Sequence, residues 1–131
     1  MRRLAREIAL QILFQTEFAP QMSLNSLAEV YGQSFDESTM DYALQLIRGV
    51  QNNHSSIDSK IQASSNHWKL DRMATIDRNI LRIAVFEMAI MSTPLKSNIV
   101  INEAVEIAKK FSTTDSASFI NGLLDQIGKG H

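Results

Sequence analysis

Between Asn98 and Asp125 the chain reads NIVINEAVEIAKKFSTTDSASFINGLLD, and few folds admit such a stretch. Val100, Ile101, Ala104, Val105, Ile107, Ala108 and Phe111 recur at helical spacing. The polar run Ser112-Thr113-Thr114-Asp115-Ser116 interrupts them, and Phe119, Ile120, Leu123, Leu124 and Ile127 begin a second helical period. Two amphipathic helices joined by a polar corner need other apolar faces to pack against. No long stretch alternates with period two, and no Asn-Gly pair sits between strand-like runs. The expected fold class is all-α, with about seven helices.

Taken in order, the chain supplies those partner faces. Arg2 to about Phe18 reads as a helix with rows Leu4, Ile8, Ile12 and Ala5, Ala9, Leu13, stopped by Pro20. A short helix from Leu24 to Tyr31 follows, with Ser23 as cap and Gly32 as terminator. Asp36 or Ser38 caps a third, whose apolar face is Met40, Ala43, Leu44, Ile47 and Val50. Asn52 to Ser55 reads as a loop. Ser55 and Asp58 resemble a capping box opening a short helix through Ile57 and Ile61. Ser64 to Met73 is a connector with Trp68 and Leu70 as expected core anchors. From Thr75 or Ile76 to Met91 runs the most apolar helix. Apolar residues on two of its faces place it at the centre of the fold.

At 131 residues, 44% of them hydrophobic, the chain is long enough to bury a core as one domain. It has no cysteine, which excludes disulfides and cysteine-based metal sites. No apolar run approaches the roughly 18 residues of a membrane span, and Arg6, Glu7 and Gln11 break up any signal-peptide core. A net charge of −1 does not announce a nucleic-acid binder. Its distribution is more informative. Basic residues gather at the amino end and between residues 67 and 112, while residues 23–66 are acidic. An anion site would therefore join the amino end to the C-terminal half.

Four groups of residues are candidates for chemistry. Arg2, Arg3 and Arg6 lie along one side of the first turns, where cations oppose the helix dipole and a phosphate backbone would offset them. A solvated terminus fits the residues equally well. At the corner, Asp115 or Ser116 is a natural N-cap, and Phe119 is either core or an exposed platform for an unpaired base. Asn102, Glu103 and Asn121 read as a buried polar network tying the last helices together. Asp77, Arg78, Arg82 and Glu87 read as surface ion pairs or as a protein-docking face. His54, His67 and His131 share no metal spacing, and no nucleophile–base motif is present. No cofactor and no catalytic residue are expected.

Three stretches carry a family resemblance. They are Arg2-Arg3-x-Ala5-Arg6-Glu7-x-Ala9, Asp77-Arg78-x-Ile80-Leu81-Arg82-Ile83-Ala84-x-x-Glu87, and Val100-x-Asn102-Glu103-Ala104-Val105-Glu106-x-Ala108-Lys109 continuing to Phe119-x-Asn121-Gly122-x-Leu124-Asp125. Their order and spacing resemble the NusB family of bacterial transcription antitermination factors. The match is weakest from about Gln21 to Lys60.

The resemblance implies one RNA-binding domain over 1–131, built of two packed helical subdomains at roughly 1–53 and 54–131. It implies a non-catalytic, cytoplasmic factor that binds a boxA-type single-stranded element of nascent ribosomal RNA together with ribosomal protein NusE. RNA polymerase, NusA and NusG would be indirect partners, and a homodimer would be possible. Arg2, Arg3 and Arg6 would hold phosphates. Asp115, Ser116 and Phe119 would complete the RNA surface, with Asp115 lowering affinity or reading a base amino group. Asp77 would face NusE. The rivals are an RNA-binding module related to ribosomal-RNA cytosine methyltransferases, against which the lack of a following G-x-G cofactor domain counts, and a helical scaffold or dimerisation protein.

Overall fold

The computed structural model describes residues 2–20 and 24–129. Ser23, Gly130 and His131 lie outside them. The described residues form seven α-helices: α1 (Arg2–Phe18), α2 (Leu24–Gly32), α3 (Glu37–Asn52), α4 (His54–Ser64), α5 (Thr75–Val85), α6 (Ser97–Phe111) and α7 (Thr114–Lys129). A 3-10 turn, Leu70–Arg72, precedes α5, and a π-turn, Phe86–Ile90, continues it. No strand occurs among the described residues.

Two helix pairs frame the molecule. α1 packs on α3, and α6 packs on α7 more extensively still. Ala5, Ala9 and Ala43 are fully buried in the first pair and leave room for the helix axes to approach. α5 contacts both pairs and α4 as well. Its Leu81 and Val85 are fully buried, as its apolar faces require.

The π-turn was not expected from the sequence. Its widened ring is closed by the Met91 N–H donating to the Phe86 carbonyl at 3.0 Å. The Leu95 N–H donates to the Glu87 carbonyl at 2.9 Å, so that carbonyl is satisfied from beyond the helix. Such turns concentrate where a helix must aim particular side chains. Here Phe86 lies against α3 at Gly49, where an added Cβ would sit 2.2 Å from the ring.

Several local expectations need correction. Asp36 caps α3 as one of the two options allowed, accepting from the Thr39 N–H at 2.8 Å. The loop expected at Asn52–Ser55 shrinks to a single residue, Asn53. Its side-chain amide and its backbone N–H both donate to the Gly49 carbonyl, at 2.8 and 3.1 Å. α4 begins at His54, which puts Ser55 inside it; the N-cap residue Asn53 makes no side-chain cap, and Asp58 pairs with Arg82 instead of closing a box. Leu70 is buried as expected, but Trp68 is 59% exposed and anchors no core. Gly122 has no heavy atom within 4 Å of where a Cβ would be, so packing does not demand it, whereas Gly128 lies against Ser97 at 3.2 Å. Arg78 and Arg82 are not surface pairs. Arg78 meets Glu17 of α1 at 3.1 Å, and Arg82, 8% exposed, meets Asp58 of α4 at 2.9 Å.

Helix propensity alone would favour Gly49→Ala by about 1 kcal/mol. The buried Phe86 ring reverses the sign, and a net destabilisation of about 1–3 kcal/mol is expected from overpacking. Urea unfolding of the variant measures it.

Candidate nucleic-acid interface

The amino-terminal arginines divide into three different environments. Arg6 faces inward, because on α1 it shares a row with Ala9, Leu10 and Leu13, all buried. It is 4% exposed, and its guanidinium donates to both carboxylate oxygens of Glu87, at 2.8 and 2.9 Å. Glu87, 1% exposed, also accepts from the Tyr42 hydroxyl at 2.5 Å. One carboxylate on the π-turn thus joins α1 to α3. Burial first, and then the hydrogen bond to Glu87, push the Tyr42 phenol up to about 12.

Arg3 stays at the surface, its side chain half exposed, and forms a two-pronged pair with Glu103 of α6 at 3.0 and 2.6 Å. Glu103 also accepts from Arg6 at 3.2 Å. The hydrogen bond from Arg3 holds the Glu103 carboxyl below its usual range, with the positive charges of Arg3 and Arg6 adding to the effect. Arg2 is exposed, its guanidinium 4.8 Å from the centre of the Tyr42 ring. Beyond the arginines, Lys110 of α6 reaches Glu7 at 2.9 Å.

The corner between α6 and α7 is built around Asp77. The Ser112 and Ser116 hydroxyls each donate to one of its oxygens, both at 2.7 Å. Asp77 is 7% exposed, and its carboxylate pins the corner from beneath. The N-cap of α7 is Thr113, whose hydroxyl accepts from the Ser116 N–H at 2.9 Å; neither Asp115 nor Ser116 takes that role. Asp115 is exposed. Phe119 is half-buried against the core, and its remaining face borders a groove shared with Trp68.

The structure therefore revises two expectations. Arg6 is sealed by two carboxylates and cannot meet a phosphate without leaving the core. Asn102 and Asn121 are exposed, and Glu103 pairs with α1, so no buried amide network ties α6 to α7. The arginines and the corner are set apart along α6. Glu103 lies roughly 13 Å from the corner along α6, at about 1.5 Å of rise per residue. Among the described residues, no hydrogen bond or ion pair joins Arg2, Arg3 or Arg6 to residues 112–119. The exposed side of α6, with Lys109 and Lys110, lies between them. The sequence reading did not single out Tyr42 or Lys110. Adjacent lysines in the last turn of an amphipathic helix were the available signal for the second.

No group of three or more histidine, cysteine, aspartate or glutamate side chains that could hold a metal ion occurs among the described residues. No helix among them is long and apolar enough to cross a membrane.

Seven helices without a strand among the described residues, with two exposed arginines on α1 and a serine-held corner before α7, define a class of small all-α protein. Comparison with known proteins narrows that class. Residues 3–129 match the NusB family, and the chain belongs to it. The transcription antitermination protein NusB of Bdellovibrio bacteriovorus is 65% identical across 99% of this chain and 96% of its own length. That of Anaeromyxobacter dehalogenans is 42% identical over 98% and 91%. Among solved structures, T. maritima NusB superposes with a TM-score of 0.90 at 36% identity, covering all of this chain and 92% of that one. A crystal structure of antitermination factors NusB and NusE in complex with dsRNA matches with a TM-score of 0.83 at 25% identity, covering 99% and 97%.

Two measurements test the buried cluster. Arg6→Ala leaves Glu87 buried without its cation and is expected to cost about 3–5 kcal/mol in denaturant unfolding. The Tyr42 phenol is neutral in the folded state up to about 12. Unfolded, it ionises near 10. Its contribution to stability is therefore complete below the unfolded value and is lost as pH rises from there to the folded one. Unfolding curves of Tyr42→Phe against the parent should show that alkaline loss in the parent alone.

Proposed function

We propose that the chain is a non-catalytic antitermination factor of the NusB type. It acts in the cytoplasm on boxA-type single-stranded RNA of nascent ribosomal transcripts, with NusE as its protein partner. RNA polymerase, NusA and NusG are reached through that assembly. The two helical subdomains, about 1–53 and 54–131, work as one binding unit. The observation that carries this reading is the likeness, across nearly the whole chain, to the NusB partner of a complex holding NusE and dsRNA. Residue patterns support the non-catalytic part: Glu103 and Glu106, spaced three apart as a catalytic carboxylate pair could be, are taken up by ion pairs, Glu103 with Arg3 and Arg6 and Glu106 with Lys109.

Within this reading the roles of the residues are revised. Arg2 and Arg3 contact phosphates. Arg6 positions Arg3 through the Glu103 they share. Phe119 offers its open face to a base, Ser116 lends its fixed backbone, and the exposed Asp115 limits affinity or meets a base amino group. Asp77 shapes the surface from beneath. Phosphate and Glu103 compete for the same guanidinium, so Glu103 weakens RNA binding in the resting protein.

Fluorescence anisotropy with a labelled boxA-type oligoribonucleotide, with and without NusE, tests the reading, and an RNA duplex serves as a second arm. Arg3→Ala should weaken binding and reduce the salt slope by about 1. Glu103→Gln should tighten it severalfold by releasing Arg3. Absence of binding to either RNA in the presence of NusE would overturn the reading.

A further inference from the structure

We infer that Trp68 is a base-stacking platform which extends the RNA surface past the corner onto the connector between α4 and α5; the inference rests on the RNA-binding reading above. Trp68 is 59% exposed in a connector that is otherwise held firmly. Its carbonyl accepts from the Gln62 side-chain amide at 3.0 Å and from the Ser65 hydroxyl at 2.8 Å. The same Gln62 accepts from the Leu70 N–H at 2.8 Å, and Leu70 is buried. The backbone on both sides of the indole is thus anchored while the ring faces solvent. A large aromatic presented from a fixed backbone loses little freedom when a flat ligand stacks on it.

The surroundings select the ligand. Grooves open on both sides of the indole, and Phe119 borders both. One groove continues to Asp115 and Ser116, so the platform is contiguous with the corner assigned to RNA. Arg72 lines that groove, and Lys69 adjoins Trp68 in the chain. Both are exposed, and among the described residues neither forms an ion pair, unlike Arg3, Arg78 and Lys110. Asp115 lines the same groove as Arg72, whereas Lys69 and Asp71 line a separate groove with Glu17 and Asp58. On the other side Gly122 adds no side chain above α7, which leaves the groove wall open to a flat ring. An aromatic face flanked by the unpaired Arg72 and small polar groups matches a single-stranded polynucleotide, with a base on the indole and a phosphate on Arg72.

Trp68 is the one tryptophan of the chain, so its fluorescence reports directly on the ring. A boxA-type oligoribonucleotide should quench it, and an abasic substitution at one position should abolish the quenching. Inorganic polyphosphate, which has no bases, should not quench. Trp68→Ala should weaken binding of labelled RNA about tenfold with unchanged circular dichroism, and Trp68→Phe should recover part of it. RNA that binds by anisotropy without quenching, and equally well to Trp68→Ala, would overturn the platform while leaving the RNA-binding reading intact. Absence of RNA binding altogether would overturn both. Emission that changes with protein concentration alone, or with NusE alone, would assign the indole to a protein interface and overturn the inference.

Discussion

The ion pair between Arg6 and Glu87 holds the architecture together. It joins the first helix to the π-turn that ends the central one, and the Tyr42 hydroxyl adds α3 to the same carboxylate. Charges this deeply buried persist only when they are paired and hydrogen-bonded, and here the third guanidinium nitrogen reaches Glu103. The arrangement specifies position more than it supplies stability. Helices α1, α3, α5 and α6 must keep one relative placement for all these bonds to form, and the placement of Arg3 at the surface follows from it.

The surface chemistry is built outward from such buried anchors. Glu103 links the inner arginine to the outer one. Asp77 does the corresponding work at the corner, where two hydroxyls hang from one buried carboxylate. Arg3 and the corner serines are thus each held by a carboxylate, Glu103 and Asp77. In a protein of net charge −1, local arrangement of cations does what bulk charge does not.

Much of the helical layout was legible in the sequence because apolar residues recur at period 3.6 and the breaks carry Pro, Gly or polar clusters. The spans of α1, α6 and α7 follow from that signal alone. The site was less legible. Spacing placed Arg2, Arg3 and Arg6 on one side of a helix, but only tertiary packing turned Arg6 inward, and its acid partner lies 81 residues away. Trp68 read as core because tryptophan in a connector between apolar runs usually is; exposure is decided by how the connector is tied to Gln62 and Ser65. The π-turn was not legible because apolar residues such as Val85 and Met88 continue across it without a Pro or Gly break.

The single-residue joint at Asn53 has a mechanical consequence. A rod and its continuation, fastened by two bonds to one carbonyl, leave no slack between α3 and α4. α3 packs on α1, which carries the arginines, and α4 packs on α7, which begins at the corner, so the joint ties one pair to the other. The molecule behaves at this point as a stiff elbow, and whatever grips one arm sets the angle of the other.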